Sequence, residues 1–119
     1  MKLLIVDDSS IIRKAISNYL KDKGWELVGE AGDGKTALDV FKSQKPDLVT
    51  MDITMPEMDG LTCLNEIMKI DPNTKVVVIT ALNDQATALK ALKLGAKAFV
   101  GKPFNPDKLN EALNKVANK

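Results

Sequence analysis

Short apolar runs alternate with longer amphipathic stretches along the whole chain. The five runs lie at residues 2–6, 26–30, 47–51, 75–79 and 98–101, and turn or charged residues bound each of them, as is typical of strands. The first, third and fourth runs are continuous blocks rich in Leu, Ile and Val. Such blocks predict parallel strands that are covered on both faces.

The stretches between the runs have helical periodicity. In the first stretch, Ile12, Ile16 and Leu20 recur at helical spacing, and Gly24 after them predicts the end of a helix. The following helices are expected to end before Pro46, at Asp71-Pro72 and at Gly95, and the last is expected to open after Pro106.

Five strands that alternate with five helices favour an open parallel sheet with helices on both faces. A length of 119 residues, of which 45% are hydrophobic, fits one compact domain spanning residues 1–119. Taken alone, the same pattern also fits an α/β sandwich that has no particular site.

Composition excludes several classes of function. The 17 Lys and Arg residues nearly balance the 16 Asp and Glu residues, so bulk positive charge gives no reason to expect nucleic-acid binding. Cys63 is the single cysteine, which excludes an intrachain disulfide and fits a reducing cytosol. The apolar start of the chain is broken at Asp7, too early for a signal peptide or a membrane span. We therefore expect a cytoplasmic protein.

Polar and charged residues stand at the ends of four predicted strands. Ligands of an open parallel sheet bind outside the carboxyl ends of its strands, and those ends carry Asp7, Asp8, Asp52, Thr80 and Lys102. Three converging carboxylates repel one another unless a cation lies among them. The chain has no histidine, and Mg²⁺, which prefers oxygen ligands and retains some of its waters, suits such a site.

Some of these residues also have a simpler interpretation. Asp8, with Ser9 or Ser10, is suited to cap the first helix, and lysines such as Lys102 usually lie solvated on a surface. Asp52 is harder to explain in this way, because burying a carboxylate at a sheet end is costly without compensation. The group as a whole therefore favours a site.

Four motifs resemble those of the CheY-like response regulator receiver domain family. They are Val6-Asp7-Asp8-Ser9, residues 52–60 (DITMPEMDG), Ile79-Thr80-Ala81 and Lys102-Pro103-Phe104. The resemblance covers essentially the whole chain. It implies a flavodoxin-like (βα)5 doubly wound sandwich with strand order 2-1-3-4-5. This strand order is taken from the family, and CheY is itself a standard example of it.

The resemblance also implies roles for the residues of the site. Asp52 is expected to accept a phosphoryl group, and Thr80 and Lys102 to bind phosphoryl oxygens. The metal and the ammonium of Lys102 would neutralise the developing negative charge. The expected ligands of Mg²⁺, direct or through water, are Asp7, Asp8, Asp52 and the backbone carbonyl of Thr54.

A two-state switch is implied as well. The hydroxyl of Thr80 would move toward the phosphoryl group, and Phe99 would turn inward behind it; plain core packing of Phe99 is the alternative. A downstream target is expected on the face of the fourth helix, fifth strand and fifth helix. The lysines of that face also fit a merely solvated surface; they are Lys90, Lys93 and Lys97.

Because the chain has no histidine of its own, the resemblance implies a separate phosphodonor, either a histidine kinase or a histidine phosphotransfer protein. We expect a signalling receiver in place of an enzyme, although it would promote its own phosphorylation and dephosphorylation at Asp52. It is expected to be a monomer, with dimerisation on phosphorylation left open, and to bind neither nucleic acid nor membrane directly.

The first functional hypothesis is a stand-alone regulator of the chemotaxis type. Within the family, the alternatives are a phosphorelay intermediate and a receiver that belongs to a larger, for example transcriptional, regulator. Two alternatives come from other classes of protein: a Mg²⁺-dependent phosphohydrolase that uses an aspartyl phosphate, and a flavin-binding electron carrier. Thr54 stands where the hydrolase would need a second acid, and one Trp and one Tyr leave few aromatic platforms for a flavin.

Overall fold

The computed structural model of the chain describes residues 1–20, 23–53, 60–81, 85–102 and 105–117, with only the backbone given for Ala81. The strands are β1 (Lys2–Val6), β2 (Glu26–Ala31), β3 (Leu48–Asp52), β4 (Lys75–Ala81) and β5 (Ala98–Lys102). The helices are α1 (Ser10–Leu20), α2 (Gly34–Gln44), α3 (Gly60–Ile70), α4 (Gln85–Leu94) and α5 (Pro106–Ala117). Across these ranges, no helix combines the length and apolar character needed to cross a membrane.

The five strands form one parallel sheet in the order β2-β1-β3-β4-β5. The central strands β1, β3 and β4 are buried along most of their length, whereas the edge strands β2 and β5 are partly exposed. The predicted doubly wound, flavodoxin-like α/β sandwich is therefore confirmed. The continuous apolar blocks of the sequence are the three central strands, as their burial on both faces requires.

Two apolar cores lie on opposite faces of the sheet. Helices α2, α3 and α4 cover the core that contains Leu4 and Val78, and helices α1 and α5 cover the core that contains Ile5 and Ile79. Successive side chains of a strand point to opposite faces. Neighbouring residues of β1 and of β4 consequently belong to different cores, and helices pack on both sides.

Local sequence determines several helix ends. Asp33 caps α2, because its side chain accepts a hydrogen bond from the N–H of Thr36 at 2.7 Å. Lys45 closes the same helix in the left-handed region, with φ at 48°. Gly24 and Gly95 have φ values of 85° and 121°, a backbone conformation that favours glycine. The predicted stops after α1 and α4 are confirmed.

The predicted strand bounds require small corrections. β1 has the predicted bounds, but β2, β4 and β5 extend further, to Ala31, Ala81 and Lys102. β3 is shifted, so that Asp52 is its last residue and pairs with Ile79 of β4. The extensions arise because the backbone ladder continues through polar residues, such as Glu30, Thr80 and Lys102, which hydrophobicity alone does not reveal.

Candidate functional site

Three charged side chains reach one edge of the sheet from three different strands. Asp7 directly follows β1, Asp52 ends β3 and Lys102 ends β5. Alternation along each strand puts the three side chains in the same rows as Ile5, Leu48 and Val100, on the face of the sheet that α1 and α5 cover. Parallel strands end at a common edge, so the side chains converge there.

The carboxylates of Asp7, Asp8 and Asp52 form an acidic cluster at this edge. Each offers one oxygen, and these oxygens lie within 4.8 Å of one another. Lys102 Nζ lies 3.5 Å from Asp7 Oδ2 and 3.5 Å from Asp52 Oδ2. Asp7 and Asp52 are buried, whereas Asp8 is exposed. One partly exposed ammonium therefore faces two buried carboxylates.

Hydrogen bonds fix both the backbone and the side chain of Asp7. Its N–H donates to the carbonyl oxygen of Ala31 at 3.0 Å, and its Oδ1 accepts the N–H of Ser9 at 2.9 Å. Burial raises the pKa of Asp7; the N–H of Ser9 lowers it in part, and the nearby carboxylate of Asp52 raises it further. The environment of Asp7 thus disfavours its charged form, even though the Lys102 ammonium lies 3.5 Å away and lowers the pKa in part.

The donor set of the cluster fits a hard divalent cation. Carboxylate oxygens are the ligands that Mg²⁺ prefers. Asp7 Oδ2 is buried and accepts no hydrogen bond from the described residues, although buried polar atoms usually have a partner. A cation among the three carboxylates would supply that partner. The carbonyl of Thr54, also predicted as a ligand, lies outside the described residues.

Gly60 brings the start of α3 against the end of β3. A Cβ atom on Gly60 would overlap the carbonyl oxygen of Asp52 and the Cα of Ile53. The helix therefore approaches the backbone of Asp52 at a distance that only glycine permits. Gly60 closes the long family motif of the sequence, and the structure supplies the physical reason for its presence.

Thr80 and Phe99, the predicted switch pair, have different environments. Thr80 is 3% exposed, and its Oγ1 makes no hydrogen bond within the described part of the chain. Phe99 is 47% exposed. The alternative that Phe99 is a plain core residue is therefore wrong. Its strand, β5, lies at the edge of the sheet and has a neighbouring strand on one side only.

Of the simpler interpretations of Asp8 and Lys102, only the cap of the first helix by Ser9 is confirmed. Ser9 caps α1, because its Oγ accepts the N–H of Ile12 at 3.2 Å. Asp8 instead offers a carboxylate oxygen to the cluster. The side chain of Lys102 is 31% exposed and contacts two carboxylates, so it is not an ordinary solvated lysine.

Sequence reasoning missed Arg13. Its Nη1 donates a hydrogen bond to the backbone carbonyl of Asp7 at 2.5 Å, and its Nε lies 3.3 Å from Glu30 Oε1. An arginine within an amphipathic helix matches no motif, and its partners are known only once α1, β1 and β2 are assembled. No signal in the sequence could have identified it.

Comparison with known proteins decides the family. A family model for the response regulator receiver domain matches residues 3–114. The chain belongs to this family. It is 49% identical over 116 residues to the chemotaxis protein CheY of Thermotoga maritima, covering 98% of this chain and 97% of that protein. It is 45% identical over 117 residues to CheY of Bacillus subtilis, with 98% of each covered.

A solved structure gives the same assignment. A chain in the crystal structure of the CheX–CheY–BeF3–Mg²⁺ complex from Borrelia burgdorferi matches with a TM-score of 0.95 and 37% identity, over 100% of this chain and 90% of that chain. This receiver domain has a phosphoreceiver role in two-component signalling and closely resembles stand-alone CheY regulators. The family favours a signalling protein over the phosphohydrolase and the flavin carrier.

Receiver domains bind Mg²⁺ at an acidic pocket, and this chain has an acidic cluster formed by Asp7, Asp8 and Asp52. CheY-like receivers work with histidine kinases and downstream targets, and they are not classical enzymes. Each predicted site residue within the described ranges thus has a defined place, and four of them meet at one edge: Asp7, Asp8, Asp52 and Lys102.

Proposed function

We propose that Asp52 is the phosphoacceptor of this receiver domain and that its phosphorylation depends on Mg²⁺ at the acidic cluster. The observation that carries the proposal is the meeting of three carboxylates and the Lys102 ammonium at the carboxyl ends of the strands. Asp52 ends the central strand β3 and is buried. It therefore has the rigid support that a nucleophile needs.

The transfer reaction explains why positive charge must surround Asp52. A carboxylate oxygen of Asp52 attacks phosphorus, a new O–P bond forms, and the bond from phosphorus to the leaving group breaks. With a phosphohistidine donor, the leaving group is an imidazole nitrogen, which takes up a proton. Because charge spreads over the phosphoryl oxygens during transfer, cations near them lower the barrier. Lys102, 3.5 Å from Asp52 Oδ2, is close enough to contact those oxygens.

Asp7, Asp8 and Asp52, with the backbone carbonyl of Thr54, would hold the Mg²⁺ ion directly or through water. When bound, the ion would supply positive charge beside the phosphoryl oxygens. The buried Oδ2 of Asp7, which lacks a hydrogen-bond donor among the described residues, supports this assignment. The related Borrelia structure contains Mg²⁺ together with BeF3, a chemical mimic of a phosphoryl group.

Signal output is assigned to Thr80, Phe99 and the face formed by α4, β5 and α5. The buried hydroxyl of Thr80 is a donor that a new phosphoryl group could attract. Phe99 projects outward in the present state and would turn inward on phosphorylation. A cavity of about 430 Å³ between β5 and α5, lined by Phe99, Lys108 and Lys115 among others, supports target binding at this face.

The high coverage of CheY proteins in both directions supports a stand-alone role in chemotaxis. A histidine kinase or histidine phosphotransfer protein would donate the phosphoryl group to this single domain of residues 1–119. We further propose that the protein acts in the cytoplasm as a monomer and binds its target without contacting nucleic acid or membrane. Catalysis would be limited to its own phosphorylation and dephosphorylation.

Intact mass after incubation with acetyl phosphate tests the proposal. Wild type, Asp52→Asn and Asp47→Asn would each be measured with Mg²⁺ and with excess chelator. Asp47 is a matched control, because it lies at the opposite end of β3, where its Oδ2 accepts the N–H of Lys2. We expect one added phosphoryl group on wild type and Asp47→Asn with Mg²⁺ only, and none on Asp52→Asn.

Two results would contradict the proposal. If Asp52→Asn gave as much adduct as wild type, the phosphoacceptor would be another residue. If wild type gave as much adduct in chelator as with Mg²⁺, the reaction would not depend on the metal. Circular dichroism of each variant would show whether a missing adduct reflects a lost acceptor or a lost fold.

A further inference from the structure

Arg13 links α1 to the end of β1 and to β2. Its Nη1 donates to the carbonyl oxygen of Asp7 at 2.5 Å. Its Nε lies 3.3 Å from Glu30 Oε1, an ion pair without hydrogen-bond geometry. The Arg13 side chain is 20% exposed, so the guanidinium is held mostly inside the protein and next to the backbone of a cluster residue.

This contact completes the set of bonds that hold Asp7. The N–H of Asp7 is bound to Ala31, its carbonyl oxygen to Arg13 and its Oδ1 to Ser9. The remaining polar atom, Oδ2, faces Lys102 Nζ at 3.5 Å. A shift of the backbone would break the bonds to Ala31 and Arg13, and a rotation of the carboxylate would break the bond to Ser9. The orientation of Oδ2 therefore depends on all three contacts.

The influence of Arg13 is one of position and not of charge. The guanidinium contacts the backbone carbonyl of Asp7 and not its carboxylate. The charged groups that shift the pKa of Asp7 are Asp52, Lys102 and Asp8. Removal of Arg13 should therefore act on the geometry of the cluster more than on its electrostatic potential.

Gly32 provides the space in which the guanidinium lies. A Cβ atom at Gly32 would be 3.2 Å from Arg13 Nη1 and 4.0 Å from Arg13 Cζ. The first distance is shorter than an ordinary carbon–nitrogen contact, so the guanidinium would have to move by a few tenths of an ångström. Gly32→Ala would thus displace the donor while leaving its charge in the protein.

We propose that Arg13 is a positioning residue for the cation site: by holding the carbonyl of Asp7, it keeps Oδ2 aimed at the cluster and raises the affinity for Mg²⁺. The inference rests on the proposed function, since it presumes that the cluster binds Mg²⁺. Loss of groups that orient metal ligands from outside the coordination sphere typically weakens metal affinity 10–100-fold. For Arg13→Met, which keeps the aliphatic stem, we expect about tenfold weaker binding.

The test compares Mg²⁺ affinity with stability in the full chain. Isothermal titration with MgCl2 would give the Kd of wild type, Arg13→Met, Gly32→Ala and Lys75→Met, and urea unfolding would give the stability of each. Lys75 is the matched control, because its Nζ donates to the carbonyl of Ala117 at 3.1 Å at the opposite end of the sheet. The amide resonance of Ser9 in metal-free protein would report the orientation of the Asp7 carboxylate.

We expect a Kd about tenfold higher for Arg13→Met, a smaller increase for Gly32→Ala, a shifted Ser9 resonance in both, and an unchanged Kd for Lys75→Met. A wild-type Kd in Arg13→Met would overturn the inference while leaving phosphorylation of Asp52 intact. If Arg13→Met does not fold, a wild-type Kd in Gly32→Ala would overturn it equally. Failure of the wild type itself to bind Mg²⁺ would overturn both the inference and the proposed function.

Discussion

Lys102→Met should destabilise the metal-free protein and have much less effect once Mg²⁺ is bound. Among the described residues, Lys102 is the cation that lies close to both buried carboxylates, at 3.5 Å from Asp7 Oδ2 and at 3.5 Å from Asp52 Oδ2. Methionine keeps most of the length of the side chain and removes the charge. Without the ammonium, the three carboxylates of the cluster, whose nearest oxygens lie within 4.8 Å of one another, repel one another with less compensation.

Coulomb's law sets the scale of the loss. At an effective dielectric constant of about 20, each contact is worth about 5 kcal/mol, and in bulk water about 1 kcal/mol. The Lys102 side chain is 31% exposed, so water screens both contacts and the true energy of each lies between these two values. The cost of removing the ammonium from water offsets a further part of the attraction. We expect the free energy of unfolding of the metal-free protein to fall by about 2 kcal/mol.

Urea unfolding in chelator and in saturating MgCl2 measures both states. A ligand present at a hundred times its Kd stabilises the folded protein by about 2.7 kcal/mol. Because the variant has lost the ammonium that competes with Mg²⁺ for the carboxylates, its Kd should be lower than that of wild type, and Mg²⁺ should stabilise it more. The difference between the two proteins should therefore shrink to less than about 1 kcal/mol in MgCl2.

An equal loss of stability in chelator and in MgCl2 would refute this reasoning, because it would mean that Lys102 contributes packing and not charge. Lys75→Met is the control, since Lys75 contacts a backbone carbonyl far from the cluster and its loss should be the same in both conditions. A double-mutant cycle with Asp7→Asn would isolate the coupling between the two charges.

Three further predictions concern single residues. Gly60→Ala should lower the free energy of unfolding by about 3 kcal/mol, at the upper end of the range for overpacking, because the Cβ of the alanine would overlap backbone atoms. Urea unfolding measures this loss, and a value below about 1 kcal/mol would contradict the close packing of α3 on β3. Because burial raises the pKa of Asp7 above 3.8, folded protein binds that proton more tightly than unfolded protein, so metal-free stability falls as pH rises from 3.8 through the raised value. The stability gained by Asp7→Asn over wild type should grow through that window, and a pH-independent difference would disprove the assignment. Burial raises the pKa of Cys63 to about 12, so the thiol should react slowly with a disulfide reagent at pH 8 and rapidly in urea; fast reaction of folded protein would contradict its burial.

The three central strands could be predicted closely from local pattern. A strand covered on both faces needs apolar residues throughout, and the runs of β1, β3 and β4 have them. The ends of every strand except β1 were located less accurately, because the backbone ladder also contains polar residues, such as Thr80 and Lys102, that do not belong to a core.

The candidate site was predictable in its residue types and not in its contacts. Asp7, Asp52 and Lys102 each follow or end an apolar run, and the rule that parallel strands present their carboxyl ends at one edge was sufficient to bring them together. The same rule says nothing of which side chains share a face. Thr80 belongs by alternation to the row of Val78, on the face opposite that of Asp52. Contact between its hydroxyl and a phosphoryl group on Asp52 therefore requires the movement of Thr80 that the proposed switch includes.

Local sequence was enough to predict the order of strands and helices along the chain and the acidic edge, because periodicity and turn residues act over a few neighbours. The tertiary structure alone decided that Arg13 holds the carbonyl of Asp7, that Gly32 leaves room for it and that Phe99 is exposed. These contacts join separate elements, and they depend on how α1, β2 and β5 lie around the central strands. The hydrophobic periodicity of the sequence does not encode the distance between residues of different elements. Such a distance is known only once the helices are packed on the assembled sheet.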